Sequence, residues 1–285
     1  VRYFLWICFT PMLLFAERPF VSTQLMGQLG NQLFQISTAY ALSRDNDADL
    51  VVPDLTDSPY WSIRENYERI LFRVETKVGG RRVKSHYKEP RSSYKPIPYS
   101  PNMQLHGYFQ SARYFDHYRD ELWELFTPHP EFELELKERY RDLLDHPCTV
   151  AVHVRTYEGD DPTHRYFPFL GWDFFKKAMQ IFPEGRFIVC SDRIKQCKVA
   201  LQSDELDIHF IEGNSHFDDF FLMSYCHHQV ISNSTFSWWA AYLKRNTKKR
   251  VIAPDHWFHC EGSAEEKDRI PPEWTILKTS KPKET

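Results

Sequence analysis

Beyond residue 148 the chain alternates short β-rich runs, at 149–154, 187–190, 208–211, 229–231 and 251–253, with helical stretches at 171–182, 193–202, 216–226 and 234–245. Strands joined through helices of this length pair in parallel by right-handed crossovers, so this part of the chain predicts a Rossmann-like sheet. Such a sheet takes its ligand beyond the carboxyl ends of its strands, where Arg155, Ser191, Asp192 and residues 232–235 fall.

The first half opens in the same way, with a strand at 20–26, a turn at Gly27-Gln-Leu-Gly-Asn-Gln32 and a helix at 33–43. It then becomes less regular. Residues 79–101 are rich in Gly, Pro, Ser and basic side chains and read as a long surface loop, either functional or a plain connector. Helical patterns follow at 111–125 and 131–144. The expected division is an N-terminal Rossmann-like domain at 19–146 and a C-terminal one at 147–285, after a signal-like or short anchor segment at 1–18. The largely apolar run at 3–16, behind Arg2, is short for a membrane span, and a secretory signal, an anchor and a leader all remain open. Membrane association through 3–16 is therefore an expectation of this reading.

Composition narrows the function classes. Hydrophobic residues make up 42% of the chain and aromatics 16%, enough for a packed core, and a net charge of −3 argues against nucleic acid as a partner. The six cysteines form no C-x-x-C pair and read as free thiols.

Residues 231–243, ISNSTFSWWAAYL, carry the densest chemical signal. A buried strand ends, three residues turn through Ser232, Asn233 and Ser234, and Phe236, Trp239, Ala240 and Leu243 then form an i, i+3, i+4, i+7 stripe predicting an amphipathic helix. The unpaired N–H groups of a helix start, with added hydroxyl and amide donors, suit an anion such as phosphate. An ordinary helix cap is the alternative.

In the run 149–155 the strand alternation puts Val150, Val152 and Val154 on one face and Ala151, His153 and Arg155 on the other, so two basic side chains are expected to converge at one strand end. An arginine there can fork two N–H groups onto phosphate oxygens; a salt bridge to a neighbouring carboxylate is the alternative. In the first half, Gly27-Gln-Leu-Gly-Asn-Gln32 lacks the G-x-G-x-x-G spacing, which removes the main support for a nicotinamide or flavin. Asn31 and Gln32 would present amide donors facing the second domain, or Asn31 would simply cap a tight turn.

The stretches GQLGNQLFQ (27–35), LHGYFQSARYF (105–115), His153-Val-Arg155, Ser191-Asp192, ISNSTFSWWAAYL and VIAPDHWF (251–258) resemble, in content and order, the α-1,2-fucosyltransferases of glycosyltransferase family eleven. The resemblance spans residues 21 to about 260. It implies an α/β, GT-B-like fold of two Rossmann-type domains with parallel sheets facing an inter-domain cleft. It also implies GDP-β-L-fucose as co-substrate, inversion at the anomeric carbon, a galactose-containing glycan as acceptor and no required metal or other cofactor. The first domain would serve the acceptor and the second the donor. A membrane-associated enzyme would have its catalytic domain facing the GDP-fucose pool; secreted and cytoplasmic forms stay open.

By position, the resemblance makes Arg155 the essential arginine on the donor pyrophosphate, with His153 beside it. It places Ser191, Asp192, Ser232, Asn233, Ser234, Thr235 and Phe236 around the donor, and Gly30 and Asn31 in the turn brought close to the diphosphate and sugar. The family usually reads H-x-R-R-G-D. Here Thr156, Tyr157 and Glu158 intervene before Gly159-Asp160, which displaces the catalytic candidate Asp160 by two positions and replaces the second arginine.

Proton acceptance from the attacking hydroxyl could fall to Glu158, Asp160, Asp161 or His164, each of which also reads as a solvated loop residue. Asp45-Asn-Asp-Ala-Asp49 has the letters of a metal-binding D-x-D, but it lies before a strand, where a solvated connector is expected. His256, His259 and Cys260 lack a fourth zinc ligand at normal spacing. Beside the transferase stand a fucosyltransferase with another glycan or protein acceptor and an inactive carbohydrate-binding relative.

Overall fold

A computed structural model describes residues 17–52, 63–74, 81–90, 94–157, 165–244, 248–259 and 268–279. The first half contains β1 (Phe20–Thr23), α1 (Leu29–Asp45), β2 (Asp49–Val51), α2 (Ile63–Arg69), β3 (Ser85–Lys88), β4 (Met103–His106), α3 (Arg119–Leu125), α4 (Pro130–Arg139) and α5 (Arg141–Leu144). The second contains β5 (Thr149–Val154), α6 (Trp172–Met179), β6 (Arg186–Ser191), α7 (Ile194–Leu201), β7 (Asp207–Phe210), α8 (His216–Tyr225), β8 (His228–Val230), α9 (Thr235–Tyr242), β9 (Val251–Pro254) and β10 (Thr275–Leu277).

The strands form two sheets, β2-β1-β4-β3 and β10-β9-β8-β5-β6-β7, and every pairing in both is parallel. Counted from β5, the larger sheet has the order 3-2-1-4-5-6 read from its β7 edge, the doubly wound Rossmann arrangement. Its switch point lies between β5 and β8, from which the chain winds outward in opposite directions.

The alternation along β5 separates two apolar clusters. Val150, Val152 and Val154 pack with Phe174 and Phe175 of α6 on one face. Ala151 belongs to the other cluster, which joins Leu33 and Phe34 of α1 to Trp238, Trp239 and Tyr242 of α9. Phe34 lies 4.5 Å from Trp238 and 5.2 Å from Trp239, and Phe115 stacks on Trp239 at 5.4 Å, all between ring centroids. Each such buried side chain contributes about 1.5–3 kcal/mol and each ring pair adds roughly 0.5–1.5 kcal/mol, so the α1–α9 contact, with the α4–α8 contact of Phe132 on Phe221, ties the halves together.

Several boundaries differ from the sequence reading. Helix α9 is not amphipathic: Ser237 to Tyr242 are all buried, because α1 covers the face that a lone Rossmann half would leave to solvent. Helix α1 begins at Leu29, which places Asn31 and Gln32 inside its first turn rather than in the loop. The stretch 79–101 contains β3, whose residues alternate between half-buried and exposed, so no apolar run announces it. The edge strand β10, three residues long and mostly exposed, is too short for a periodicity to announce it. The 111–125 pattern divides into two 3-10 turns and α3, and the 131–144 pattern breaks at Tyr140. Among the described residues no helix is long and apolar enough to cross a membrane, and the 3–16 segment lies outside them.

Candidate functional site at the meeting of two helix starts

The carboxyl ends of β8, β5 and β6 lie side by side and carry Ser232, Arg155 and Asp192. Ser232 stitches the switch point: its hydroxyl donates to the His153 carbonyl at 2.7 Å and accepts from the Arg155 N–H at 2.9 Å. Asn233 donates through its side-chain nitrogen to the carbonyls of Pro168 at 2.9 Å and Trp257 at 3.1 Å. Both side chains are fully buried, so their donors serve protein carbonyls rather than the cleft. The turn they hold presents the start of α9.

That helix start is electrostatically unbalanced. Ser234 stands at the N-cap in an extended conformation without capping through its side chain, and the first turn holds no acid. The same is true of Gln28 and the first turn of α1. Each helix start carries about half a positive charge on its unpaired N–H groups. The two starts touch: a β-carbon on Gly30 would lie 2.5 Å from the Thr235 carbonyl carbon, 2.6 Å from its Oγ1 and 2.7 Å from the Phe236 nitrogen. Only glycine allows this approach.

The preceding turn is fixed from within α1. Gln32 donates to the Gly27 carbonyl at 2.9 Å, and Gln35 accepts from the Met26 N–H at 2.9 Å while donating to the Gly107 carbonyl at 3.2 Å. Gly27 takes a φ of 72°, in the left-handed region. Asn31 accepts from Gln110 at 2.7 Å. Gln110 lies in the 105–115 stretch, where no sequence signal set this residue apart.

Arg155 supplies a further positive group at the same edge. Its Nη1 lies 3.1 Å from Asp192 Oδ2, so the expected neighbouring carboxylate is present and is Asp192 itself. Asp192 also accepts from the Thr156 N–H at 3.1 Å and its hydroxyl at 3.3 Å. Ser191 turns its hydroxyl to the Arg193 N–H, at 3.0 Å. His153, read from the sequence as a second basic group, is buried and held down to about 3 by that burial and then by Arg155. It is neutral, because charging an imidazole in this apolar surrounding costs more than the neighbourhood returns. Its ring packs 5.5 Å from that of Phe236.

Asp160 lies outside the described residues, as do Glu158, Asp161, His164 and Cys260. The D-x-D letters sit far from the cleft, at the end of α1 and the start of β2. Asp45 accepts from Tyr118 at 2.9 Å, Asp47 pairs with Arg18, and Asp49 pairs with Arg81 at 2.7 Å. His256 contacts Asp255 and Thr279. Among the described residues no group of three His, Cys, Asp or Glu side chains is placed to hold a metal ion. Cys190, Cys197 and Cys226 are buried free thiols.

Comparison with known proteins bears on what this geometry serves. Residues 8–278 match the profile of Glycosyl transferase family 11. The chain is 29% identical to the alpha-1,2-colitosyltransferase of Escherichia coli, over 90% of this chain and 98% of that protein. It is also 29% identical to galactoside alpha-(1,2)-fucosyltransferase 2 of Oryctolagus cuniculus, over 82% of this chain and 70% of that one. Among solved structures, NodZ alpha-1,6-fucosyltransferase soaked with GDP-fucose aligns with a TM-score of 0.51 at 14% identity, covering 80% of this chain and 93% of that one. That likeness is one of fold, the GT-B-like pairing of two parallel sheets across a cleft.

Proposed function

The chain belongs to glycosyl transferase family 11, and from that premise we propose that it transfers L-fucose from GDP-β-L-fucose to the 2-hydroxyl of a galactoside, inverting the anomeric carbon. The observation that carries the reading is the contact of two uncapped, acid-free helix starts at Gly30 and Thr235, beside Arg155. Both helices bring their positive ends to one place, and an anion bound beside the two touching starts would offset their mutual repulsion.

Departure of GDP builds negative charge on the β-phosphate while the sugar carbon becomes cationic. Preorganised N–H groups and a guanidinium stabilise that leaving charge without reorganising, a role that other transferases give to a divalent cation. Arg155 would fork onto the diphosphate, held in orientation by Asp192 until the donor arrives. Asn31 and Gly30 would flank the sugar, and residues 147–285 would hold the donor while 19–146 receive the acceptor. Ser232, Asn233 and His153 would act through the backbone they fix.

A colitosyl donor is the second reading, favoured by the Escherichia coli relative, which this chain covers almost end to end. The two sugars differ by the hydroxyl at C3, so the donor diphosphate site would be the same.

The deciding experiment supplies labelled GDP-fucose and GDP-colitose with a panel of galactosides and determines the product linkage by NMR. An α-1,2-fucosyl galactoside is the expected product. Transfer of colitose alone moves the assignment to the second reading. Sugar binding without nucleotide binding or transfer would identify an inactive carbohydrate-binding relative.

A further inference from the structure

Directly after Arg155, where the family resemblance implies a second arginine, this chain has Thr156 and Tyr157, and both are built into the site. Thr156 and Tyr157 are both buried. Thr156 spends its N–H and its hydroxyl on Asp192, the carboxylate that also holds Arg155. Tyr157 adopts a φ of 56°, a left-handed conformation uncommon for a bulky side chain and retained only where surroundings over-determine it.

Those surroundings are specific. The Tyr157 hydroxyl donates to the Asn233 carbonyl at 2.6 Å, reaching across the switch point to the turn before α9. Its ring stacks on Phe167, with centroids 5.1 Å apart and planes 14° from parallel. The Arg155 guanidinium carbon lies 5.3 Å from the ring centroid, within cation–π range. Arg155 is thus engaged by Asp192 through a hydrogen-bonding edge and by Tyr157 through an aromatic face. Two constraints of different direction fix a planar group better than either does alone.

We infer that Tyr157 is a positioning residue for the transfer reaction: it sets the guanidinium of Arg155 against the start of α9, so that both address the same nucleoside diphosphate. This rests on the donor site proposed above. Phenol and ring act together, the hydroxyl by tying the ring to the Asn233 carbonyl and the ring by presenting its face to Arg155. Tyr157 itself need not touch the donor.

The test is a double-mutant cycle read by GDP calorimetry and steady-state kinetics. Tyr157→Phe removes only the hydroxyl and should weaken GDP binding about three- to tenfold, together with a modest fall in melting temperature as the buried Asn233 carbonyl loses its donor. Tyr157→Asn tolerates the left-handed backbone and removes ring and phenol together, so it should cost more. In an Arg155→Lys background, Tyr157→Phe should cost little further, because the group it positions is gone. Equal losses in both backgrounds, or GDP affinity and turnover unchanged in Tyr157→Phe and Tyr157→Asn alike, overturn the inference. If Tyr157→Phe is too unstable to measure, Tyr157→Asn carries the cycle by the same criterion. Failure of the donor reading itself would look different, since Arg155→Lys would then bind GDP as the parent does.

Discussion

Gly30 in the first turn of α1 lies against Thr235 in the first turn of α9, so close that a β-carbon on Gly30 would sit 2.5 Å from the Thr235 carbonyl carbon. The neighbouring atoms at that point are mostly backbone, anchored by the buried rings of Phe34, Trp238 and Trp239 one turn further on. Neither helix can yield without disturbing the apolar cluster that spans both sheets. The close contact of the two helix starts is therefore held in place by the core beneath it.

Gly30→Ala is expected to be damaging although alanine is the better helix former. The propensity gain is about 1 kcal/mol, whereas forcing a methyl group against main-chain atoms costs typically 1–3 kcal/mol and separates the two helix starts. GDP affinity should fall more than thermal stability, and calorimetry beside a melting curve measures both. A variant with parental GDP affinity would show that the two starts do not share a ligand.

Arg155→Lys should leave the melting temperature close to that of the parent, because the side chain is partly exposed and its Asp192 partner can pair with an ammonium. Turnover should drop by about 10²–10³, since a point charge cannot reproduce the guanidinium fork. Initial rates with GDP-fucose provide the check, and retained turnover would remove Arg155 from the reaction.

Chelation should leave turnover unchanged. If N–H groups and Arg155 carry the charge of the departing nucleotide, extensive dialysis against EDTA costs nothing and added magnesium gains nothing. Loss of activity on chelation, restored by a divalent cation, would assign that charge to a metal instead.

The acid side of the stability profile should reflect a buried histidine and a half-buried aspartate of opposite sign. His153 is held down to about 3, against roughly 6.5 when unfolded, so between these values the unfolded chain binds the extra proton and stability falls as pH drops. Asp219 is pushed up to about 6 by burial, against about 3.9 unfolded, so over its window stability falls as pH rises. His227 and His228, both half-buried and lowered chiefly by that burial, add to the slope of His153. Denaturant titrations should show Asp219→Asn steepening the loss between about pH 4 and 6, by up to ~1.4 kcal/mol per pH unit, and His153→Gln flattening it. Unaltered slopes would mean that these groups are more solvated in solution than in the structure.

The amino-acid sequence determined the parallel Rossmann sheet, because alternation within β5 and the spacing of its helices are local properties that survive without neighbours. It also placed Arg155, Asp192 and the 232–234 turn at strand ends, since position along a strand fixes position on a sheet edge. What it could not decide was how far each side chain is buried. His153 reads as basic from its letter, yet a tertiary apolar pocket keeps it neutral. Ser232 and Asn233 read as anion donors, yet the crossing chain turns their donors onto carbonyls. Helix α9 reads as amphipathic, yet α1, some two hundred residues earlier, covers its second face. Burial is a property of pairs of distant segments, and a local pattern records only one member of each pair.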